Sequence, residues 1–339
     1  MEQRQEKLKR LAPLLLPWYD DNKRELPWRK NTDPYRVWVS EIMLQQTRVE
    51  AARDYYERFM KELPTVEALA ACPEEKLLKL WEGLGYYSRA RNLHAAAKEI
   101  AARGEFPSDY AEIKKLKGVG TYTAGAIASI AFEQPTPAVD GNVIRVLSRV
   151  LTDDRSADTL KAIFTDELAP TYPNRRRGDF TQSLMELGAT ICTPSSPKCI
   201  LCPLIGICGT KSDALPVKKP KAARKKTQIT VFVFTGEAGI GLQTRVKGVL
   251  QGMRQFYNVE TSLSHEEAQE HLHALGLQRF DLSQSTLFHK HIFTHLEWEM
   301  NAYRVETGER LPFLEYFTAE QILQNISLPS AFYWCLKLI

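Results

Sequence analysis

Apolar side chains in the first part of the chain follow the periodicity of α-helices. Up to about residue 210 they recur at three- and four-residue spacing, and no segment alternates as a half-buried strand would. Capping residues or prolines precede these segments and indicate helix starts at Asp33-Pro34, Thr65, Pro73, Ser88, Thr121 and Asp140. We therefore predict an all-α domain over residues 1–210.

The pattern changes after a polar segment that is rich in lysine. Residues 211–228 contain almost no large apolar side chain, and their basic residues repel one another, which is typical of a linker. Beyond them, ITVFVF, GLQTRV and STLFHKHIFTHLEWEMNAYRVE are rich in β-branched and aromatic residues, whereas SHEEAQEHLHALG and TAEQILQNI have helical periodicity. We predict a basic linker over residues 211–228 and a mixed α and β domain over residues 229–339.

Length, composition and charge are those of a globular protein with two domains. The chain has 339 residues, 44% of them hydrophobic and 25% charged, and no apolar run approaches the ~18 residues of a membrane span. The first residues lack the apolar core of a signal peptide, so we expect a cytoplasmic protein without a membrane partner. Removing the six cations of the linker from the net charge of +4 leaves −2, so evidence for nucleic-acid binding must come from local sites.

Four of the six cysteines are clustered with the spacing C-x6-C-x2-C-x5-C, at Cys192, Cys199, Cys202 and Cys208. Four thiolates can hold either a tetrahedral zinc ion or a [4Fe–4S] cluster. Zinc sites usually combine two C-x2-4-C pairs, whereas this short, proline-containing loop has only one pair. We therefore predict a [4Fe–4S] cluster, with zinc as the alternative. Ligation by four cysteines would leave no open coordination position for chemistry.

A glycine-containing turn and an aspartate follow one another in the predicted helical domain. The segment Leu116-Lys117-Gly118-Val119-Gly120-Thr121 allows close backbone approach, and the amides that open the next helix can bind a DNA phosphate. An ordinary helix–helix turn with a glycine cap would have the same pattern. Asp140 would cap a further helix, or would stabilise a cationic sugar from the end of that helix.

These motifs together resemble a known enzyme superfamily. Over residues 10–210, the order of Gly-x-Gly hairpin, helix, aspartate and cysteine cluster is similar to the helix–hairpin–helix base-excision glycosylases of the endonuclease III superfamily. The segment Ser40-Glu41-Ile42-Met43-Leu44-Gln45-Gln46-Thr47 resembles the signature of the MutY family of adenine glycosylases, and residues 229–339 resemble the Nudix-like domain of that family. The resemblance implies a monomeric, nucleoid-associated bacterial enzyme of base-excision repair. Its partner would be duplex DNA containing adenine opposite 8-oxoguanine or guanine.

The resemblance also implies a division of chemical roles. Bifunctional members carry a lysine just after the hairpin, whose amine attacks C1′, but this chain has Tyr122 there. Glu41 lies in the apolar segment VWVSEIMLQQT, where desolvation would raise its pKa and suit it to donate a proton. By resemblance, Glu41 protonates adenine at N7 and Asp140 stabilises the oxocarbenium-like sugar. Tyr122 and Asn142 would be their hydrogen-bonding partners, and water would be the nucleophile.

Several further residues are assigned to DNA by the same resemblance. An enzyme that flips adenine out of the duplex must fill the gap that the base leaves. The resemblance implies that Gln46 enters the base stack, that Thr47 and Leu84 lie against the opposite base, and that Tyr86 intercalates beside it. Gly118 and Gly120 of the hairpin would contact the phosphate backbone.

Recognition of the two bases themselves would involve both domains. Arg29 and Gln182 align with residues near the adenine pocket. Phe293-Thr294-His295 stands where the family has Phe-Ser-His, and Thr294 keeps the hydroxyl that contacts 8-oxoguanine. The metal-binding pattern REx2EExG of Nudix hydrolases is absent from the sequence, so hydrolysis of free nucleotides is not expected.

Two alternative functions remain open from the sequence. One is a bifunctional pyrimidine glycosylase and lyase of the endonuclease III type, which Tyr122 and the additional domain disfavour. The other is a non-catalytic DNA-binding protein with a structural metal held by the four cysteines, against which the buried position predicted for Glu41 argues.

Overall fold

The protein folds into two compact units, each with its own core. The structure, a computed structural model, describes residues 2–217, 223–284 and 288–339. The first unit consists of Met1–Cys72 and Arg91–Pro220, and the second of Pro73–Ala90 and Lys221–Ile339. Lysines 218, 219 and 221 of the predicted linker lie outside the described residues. None of the helices within the described ranges is long and apolar enough to cross a membrane.

The first unit is helical throughout the part of it that the structure describes, which confirms the predicted fold class of this region. Its helices are α1 (Glu2–Lys9), α2 (Leu11–Asn22), α3 (Pro34–Leu44), α4 (Val49–Glu62), α5 (Val66–Ala71), α8 (Tyr110–Lys115), α9 (Thr121–Phe132), α10 (Gly141–Leu151), α11 (Ala157–Leu168) and α12 (Arg177–Thr190). Helix α6 (Glu74–Leu80) belongs to the second unit, and α7 (Tyr87–Arg103) crosses the division. Short 3-10 turns lie at Pro27–Arg29, Ala169–Thr171 and Cys199–Leu201.

Side-chain caps begin several helices at the predicted places. Asp33 accepts a hydrogen bond from the amide of Arg36 at 3.0 Å, and Asp140 accepts one from the amide of Val143 at 2.8 Å. Each cap satisfies one of the four N–H groups that the first turn of a helix leaves unpaired. Helix α7 starts at Tyr87, before the predicted Ser88, and α9 starts at Thr121 after Gly120, which makes no side-chain cap. Capping residues in the sequence therefore predict the starts of α3 and α10 better than those of α7 and α9.

Four helices meet around the candidate site in the first unit. Helix α9 is apolar on nearly all sides and packs against α3, α8 and α12, and α10 packs against α11 and α12. A Cβ at Gly125 would lie 2.2 Å from the carbonyl oxygen of Pro137, so only glycine permits this close approach to the segment before α10. The packing of these helices therefore brings side chains from α3, α9, α10 and α12 together.

The second unit is a mixed α and β domain, as predicted. Its strands are β1 (Lys225–Thr235), β2 (Ile240–Thr244), β3 (Arg254–Gln255), β4 (Tyr257–Val259), β5 (Asp281–Gln284), β6 (His289–Ile292), β7 (Leu296–Glu306) and β8 (Glu315–Phe317). Its remaining helices are α13 (His265–Ala274), α14 (Ala319–Gln324) and a 3-10 helix at Ser330–Leu338. One sheet has the order β4-β1-β7-β5 with β6 also on β7, and a second has the order β3-β2-β8. Strands β1 and β7 are parallel, and the other pairs are antiparallel.

Both faces of the central pair β1 and β7 are buried. Ile229, Val231 and Val233 point into one core, which also contains Ile326 and Leu328. The alternate residues of the same strand enter a second core, which includes residues of α13. A strand that is buried on both faces has no polar alternation, which explains the continuous apolar run ITVFVF.

Two features of the second unit depart from the boundaries drawn from composition. Strand β1 starts at Lys225, within the stretch assigned to the linker, because Lys225 and Lys226 pair with the start of β7 although their side chains are exposed. Residues 73–90, which fall within the predicted all-α domain, group with the second unit. Composition does not report either feature, since both depend on pairing between distant segments.

Candidate active site

A buried carboxylate lies in the middle of an apolar helix. Glu41 of α3 is only 7% exposed, and the residues around it on the helix are almost all buried. Burial raises the pKa of Glu41 to about 7, and the negative charge of Asp140 adds to this rise. A hydrogen bond from the Tyr122 hydroxyl to Oε2 of Glu41, at 2.7 Å, opposes it by stabilising the carboxylate. Glu41 can therefore hold or release a proton near neutral pH.

Tyr122 projects from the first turn of α9. Burial raises the pKa of Tyr122 well above its usual range, so its hydroxyl stays protonated and acts as a hydrogen-bond donor. The same hydroxyl lies 3.9 Å from Sδ of Met185, on α12. Because α9 begins directly after Gly120, the hairpin sets the position of this hydroxyl relative to Glu41.

The second carboxylate of the site is fixed by the start of α10. Oδ1 of Asp140 accepts from the amide of Val143, and Oδ2 accepts from Nδ2 of Asn142 at 2.8 Å. Burial raises the pKa of Asp140, while these two donors favour its charged form. Since Asp140 has more donors than Glu41, we expect Asp140 to be the ionised member of the pair when Glu41 carries a proton.

Arg145 orients the amide of Asn142 from the other side. Its Nη2 donates to Oδ1 of Asn142 at 2.7 Å and to the carbonyl oxygen of Gly188, and its Nε donates to the carbonyl oxygen of Cys192 at 2.6 Å. With its oxygen bound by a guanidinium, Asn142 can only direct its NH₂ group toward Asp140. The sequence analysis did not identify Arg145; its only local signal is its place on the same helix as Asn142.

A third buried acid lies across the same cavity. The side chain of Glu186, on α12, is fully buried and receives Arg24 Nε at 2.6 Å and Arg29 Nη2 at 2.8 Å. Burial alone would raise the pKa of Glu186, but the two guanidinium groups hold it below its usual value. Glu186 is therefore ionised at neutral pH, whereas Glu41 can carry a proton there. Sequence analysis missed Glu186 and Arg24, although an acid within the apolar segment FTQSLMELGA is the same signal that identified Glu41.

These groups line one cavity of about 730 Å³ in the first unit. All the predicted catalytic and adenine-binding residues lie on its wall, namely Glu41, Tyr122, Asp140, Asn142, Arg29 and Gln182. Gln46, Thr47 and Gly120 line it as well. The cavity is large enough for a purine base with part of its sugar, and it presents a protonatable acid and an anion to that ligand.

The loop after α3 holds a strained residue at this cavity. Gln46 is exposed and has a φ of 60°, in the left-handed region that residues other than glycine rarely adopt. A turn closed by the amide of Thr47 and the carbonyl oxygen of Leu44, at 3.3 Å, maintains this conformation. Such strain is often found at functional positions.

The structure requires glycine at only one of the two glycine positions of the predicted hairpin, since Gly120 has a φ of −91° and open space where a Cβ would lie. Gly118 has a φ of 80°, and a Cβ there would lie 2.6 Å from Cβ of Asn92. Val119 is buried and its amide donates to the carbonyl oxygen of Leu116 at 3.0 Å, while both glycines are exposed. The hairpin thus presents N–H groups at the start of a twelve-residue helix, where a phosphate can bind.

The remaining predicted DNA-contacting residues lie in the second unit. Leu84 is buried, whereas Tyr86 is 47% exposed with a φ of 49°. Thr294 and His295 are exposed in the turn between β6 and β7, and Phe293 packs edge-on against Trp298 at 4.8 Å. The hydroxyls of Tyr86 and Thr294 are hydrogen-bonded at 2.5 Å. The structure therefore brings two segments together that are far apart in the sequence.

The four clustered cysteines line a common cavity in the first unit. The rest of its wall is mainly apolar, and Nη1 of Arg149 lies 3.3 Å from Sγ of Cys192. Soft thiolate donors, an apolar surround and a nearby guanidinium suit an iron–sulfur cluster. Across residues 2–217, 223–284 and 288–339, no three or more His, Cys, Asp or Glu side chains form a group that could hold a single metal ion.

Comparison with known proteins identifies related sequences and folds. The family model described as "HhH-GPD superfamily base excision DNA repair protein" matches residues 39–169. The adenine DNA glycosylase of Rattus norvegicus is 48% identical over 207 residues, which cover 57% of this chain and 40% of the rat protein. The adenine DNA glycosylase of Buchnera aphidicola subsp. Schizaphis graminum is 39% identical over 267 residues, covering 74% of this chain and 76% of that protein.

The same comparisons extend to solved structures. A thermostable thymine-DNA glycosylase superposes with a TM-score of 0.56 at 26% sequence identity, covering 61% of this chain and 97% of that one. The likeness to this solved structure is thus confined to part of the chain.

The present chain spans less than half of the length of the mammalian and plant relatives that it matches.

Proposed function

This chain belongs to the adenine DNA glycosylases of the HhH-GPD base-excision repair superfamily, and from that premise we propose that it hydrolyses the N-glycosidic bond of adenine in duplex DNA. The observation that carries the proposal is the pair of carboxylates in one cavity, Glu41 with a pKa near 7 and Asp140 with two hydrogen-bond donors. Two carboxylates in opposed protonation states are what glycosidic cleavage requires.

The residues of the cavity suggest the order of events. Glu41 donates its proton to N7 of the flipped adenine, which makes the base a better leaving group. The bond between N9 and C1′ then breaks, the electron pair leaves with the base, and Asp140 stabilises the positive charge that develops on the sugar. Asn142 holds Asp140 in place. A water molecule attacks C1′ and loses a proton to the carboxylate of Glu41, which restores the acid.

Glu186 and Arg29 form an ion pair on the wall of the cavity, and these polar groups support the binding of a purine there. Arg29 and Gln182 line that side and can donate to or accept from the edge of the base. Recognition by several polar groups discriminates strongly against bases that leave one of them unpaired.

The direct test is incubation of the full chain with a duplex that contains one adenine opposite 8-oxoguanine, analysed with and without alkali. We expect free adenine and an abasic strand that breaks only after alkali treatment. Absence of free adenine under single-turnover conditions would refute the proposed function.

Strand cleavage by the protein itself should be absent, because Tyr122 supplies no amine for a Schiff base. Treatment of the wild-type reaction with borohydride is expected to trap no covalent protein–DNA adduct. A Tyr122→Lys variant should gain some adduct, since the new amine would enter the same cavity. An adduct with the wild-type protein would instead favour a bifunctional enzyme.

The rate of excision should fall as the pH rises through about 7, the pKa to which burial raises Glu41. The proton that Glu41 donates is fully present below this pH and is lost above it. In Tyr122→Phe, the falling limb should move to higher pH, because the donor that stabilises the Glu41 carboxylate is removed. Single-turnover rates from about pH 5 to about pH 9 test both statements. A flat profile in the wild type would contradict the role of Glu41.

The DNA contacts are proposed to divide between the two units. Gln46 and Thr47 fill the space that the flipped base leaves, and the hairpin with Gly118 and Gly120 binds a phosphate at the amides that open α9. In the second unit, which we propose to be Nudix-like, Leu84, Tyr86 and the turn Phe293–His295 recognise 8-oxoguanine opposite the adenine. The hydroxyl of Thr294 is the group that would contact the lesion. A cytoplasmic, nucleoid-associated location and a monomeric state remain predictions.

We further propose that Cys192, Cys199, Cys202 and Cys208 hold a [4Fe–4S] cluster. When bound, the cluster would cross-link the loop that follows α12, since four thiolate ligands leave no position open for a reaction. The Cys202→Ser variant is expected to lose the brown colour and the bound iron, whereas Cys72→Ala should keep both. Iron analysis and the visible spectrum measure this. A colourless wild-type protein with one zinc ion per chain would overturn the assignment.

A further inference from the structure

Charged side chains of residues 73–90 contact the remainder of the second unit, and they are not among the proposed DNA-contacting side chains. Nζ of Lys79 donates to the carbonyl oxygen of Ile326 at 3.0 Å, and Oε1 of Glu82 accepts from the amide of Leu328 at 2.8 Å. Lys79 and Glu82 also form an ion pair with each other at 2.7 Å, and their side chains are 24% and 17% exposed. A third contact joins Arg254 of β3 to Glu75 at 2.7 Å.

The loop that follows these contacts has a defined internal structure. The indole N–H of Trp81 donates to the carbonyl oxygen of Gly85 at 3.1 Å. Nη2 of Arg89 donates to the carbonyl oxygens of Leu84 and Gly85, and its guanidinium lies over the ring of Tyr86 at 5.4 Å. These contacts fix the shape of the loop internally, so its placement depends on what anchors its ends.

The anchor point and the 293–295 turn share one core. Ile326 and Leu328 are buried beneath β1 and β7 together with Trp298, and Phe293 packs against this same cluster. A shift of the 326–328 segment would therefore be transmitted to Phe293 and hence to Thr294, since a packed core cannot deform continuously. The hydrogen bond between Tyr86 and Thr294 connects the same two segments a second time, at the exposed end of the loop.

We propose that Lys79 and Glu82 are positioning residues for recognition of the base opposite adenine. This inference rests on the proposed function. The two side chains hold the loop that carries Leu84 and Tyr86 at a fixed distance from Thr294, so that one surface meets the opposite base. Neither residue touches DNA in this scheme; each acts through the backbone of residues 326–328. Without Glu82, the amide of Leu328 loses its acceptor and Lys79 loses its counter-charge.

The experiment measures how strongly the full chain prefers 8-oxoguanine over guanine opposite adenine. Equilibrium affinities are compared for two duplexes in which the adenosine carries a 2′-fluorine that prevents cleavage, and single-turnover excision is measured on the natural duplexes. Glu82→Ala should reduce the preference by about tenfold, as expected for loss of a hydrogen bond to a charged group. Glu82→Gln keeps an acceptor for the amide of Leu328 and should retain most of the preference for 8-oxoguanine. Glu306→Gln removes a comparable but exposed acid, which pairs with Arg304, and serves as the control.

A double-mutant cycle separates positioning from a general loss of stability. In a Tyr86→Phe background, which lacks the hydroxyl bound to Thr294, Glu82→Ala should cause little further loss of preference. Strictly additive losses would overturn the proposal, and so would an unchanged preference in Glu82→Ala. If Glu82→Ala does not fold, Lys79→Met decides: it should lower the preference several-fold, and a wild-type preference would refute the inference.

The proposed function and this inference fail in different ways. If the wild-type chain binds the 8-oxoguanine duplex preferentially but releases no adenine, the proposed function is refuted. The ratio of the two affinities in each variant then decides the positioning role. A wild-type chain that releases adenine, with all variants retaining its preference, would refute only the inference.

Discussion

The Glu41→Gln variant is expected to excise adenine about 10²–10⁴-fold more slowly than the wild type, the usual loss when a general acid is removed. Glutamine keeps the shape of the side chain and still offers an oxygen to the hydroxyl of Tyr122, so the packing of α3 should persist. What it lacks is the proton that burial retains on Glu41 near neutral pH. The effect should therefore fall on the chemical step.

Single-turnover excision and duplex affinity, measured side by side, test this expectation. Affinity should stay within about threefold of the wild type, because Glu41 is buried and the phosphate contacts are proposed for the hairpin instead. Glu99→Gln, an exposed acid on α7, is the matched control and should behave as the wild type does. A Glu41→Gln rate close to that of the wild type would remove Glu41 from the mechanism.

The Asp140→Asn variant should lose about 10²–10³-fold in the same rate, the range seen when one preorganised group that stabilises charge is removed. Asparagine caps a helix about as well as aspartate, so the amide of Val143 keeps its acceptor and α10 should start at the same residue. The variant loses the negative charge that is proposed to face the sugar, and it also loses the acceptor for Nδ2 of Asn142, because its own NH₂ group replaces Oδ2. Since the cap is kept, the melting temperature should fall only slightly, by the equivalent of about one hydrogen bond.

Another aspartate cap in the same unit provides the control. Asp109 begins α8 by accepting from the amides of Ala111 and Glu112. Asp109→Asn should leave excision within about twofold of the wild type, since it changes a helix cap in the same way but outside the candidate site. If both variants lost activity equally, the loss would reflect capping, and Asp140 would have no special role in charge stabilisation.

Local patterns of sequence predict much of this architecture. The starts of α3 at Asp33 and of α10 at Asp140 follow from side chains that satisfy the first amides of a helix, which is a contact over three residues. The strand β1 follows from a run of β-branched and aromatic residues. Such signals lie within a few positions of the residue that they describe, so sequence alone can carry them.

Only part of the candidate site can be predicted from local sequence patterns. Glu41 stands out as an acid in an apolar helix, and its burial follows from that helix alone. The grouping of Glu41 with Tyr122, Asp140 and Asn142 in one cavity was expected only through resemblance to a family. The contact of Arg145 with Asn142 and the ion pairs of Glu186 were not expected, because no local pattern reveals which distant groups these side chains will meet.

Sequence patterns therefore predict the type and the start of most elements, the order of an all-α region and a mixed α and β region, and the clustering of four cysteines. They do not predict that residues 73–90 group with the second unit, or that Lys79 and Glu82 contact the backbone of residues 326 and 328, which follows only from the folded chain. These contacts join groups that are far apart in the sequence. Their partners are backbone amides and carbonyls, which every residue possesses, so no residue type marks where they will form.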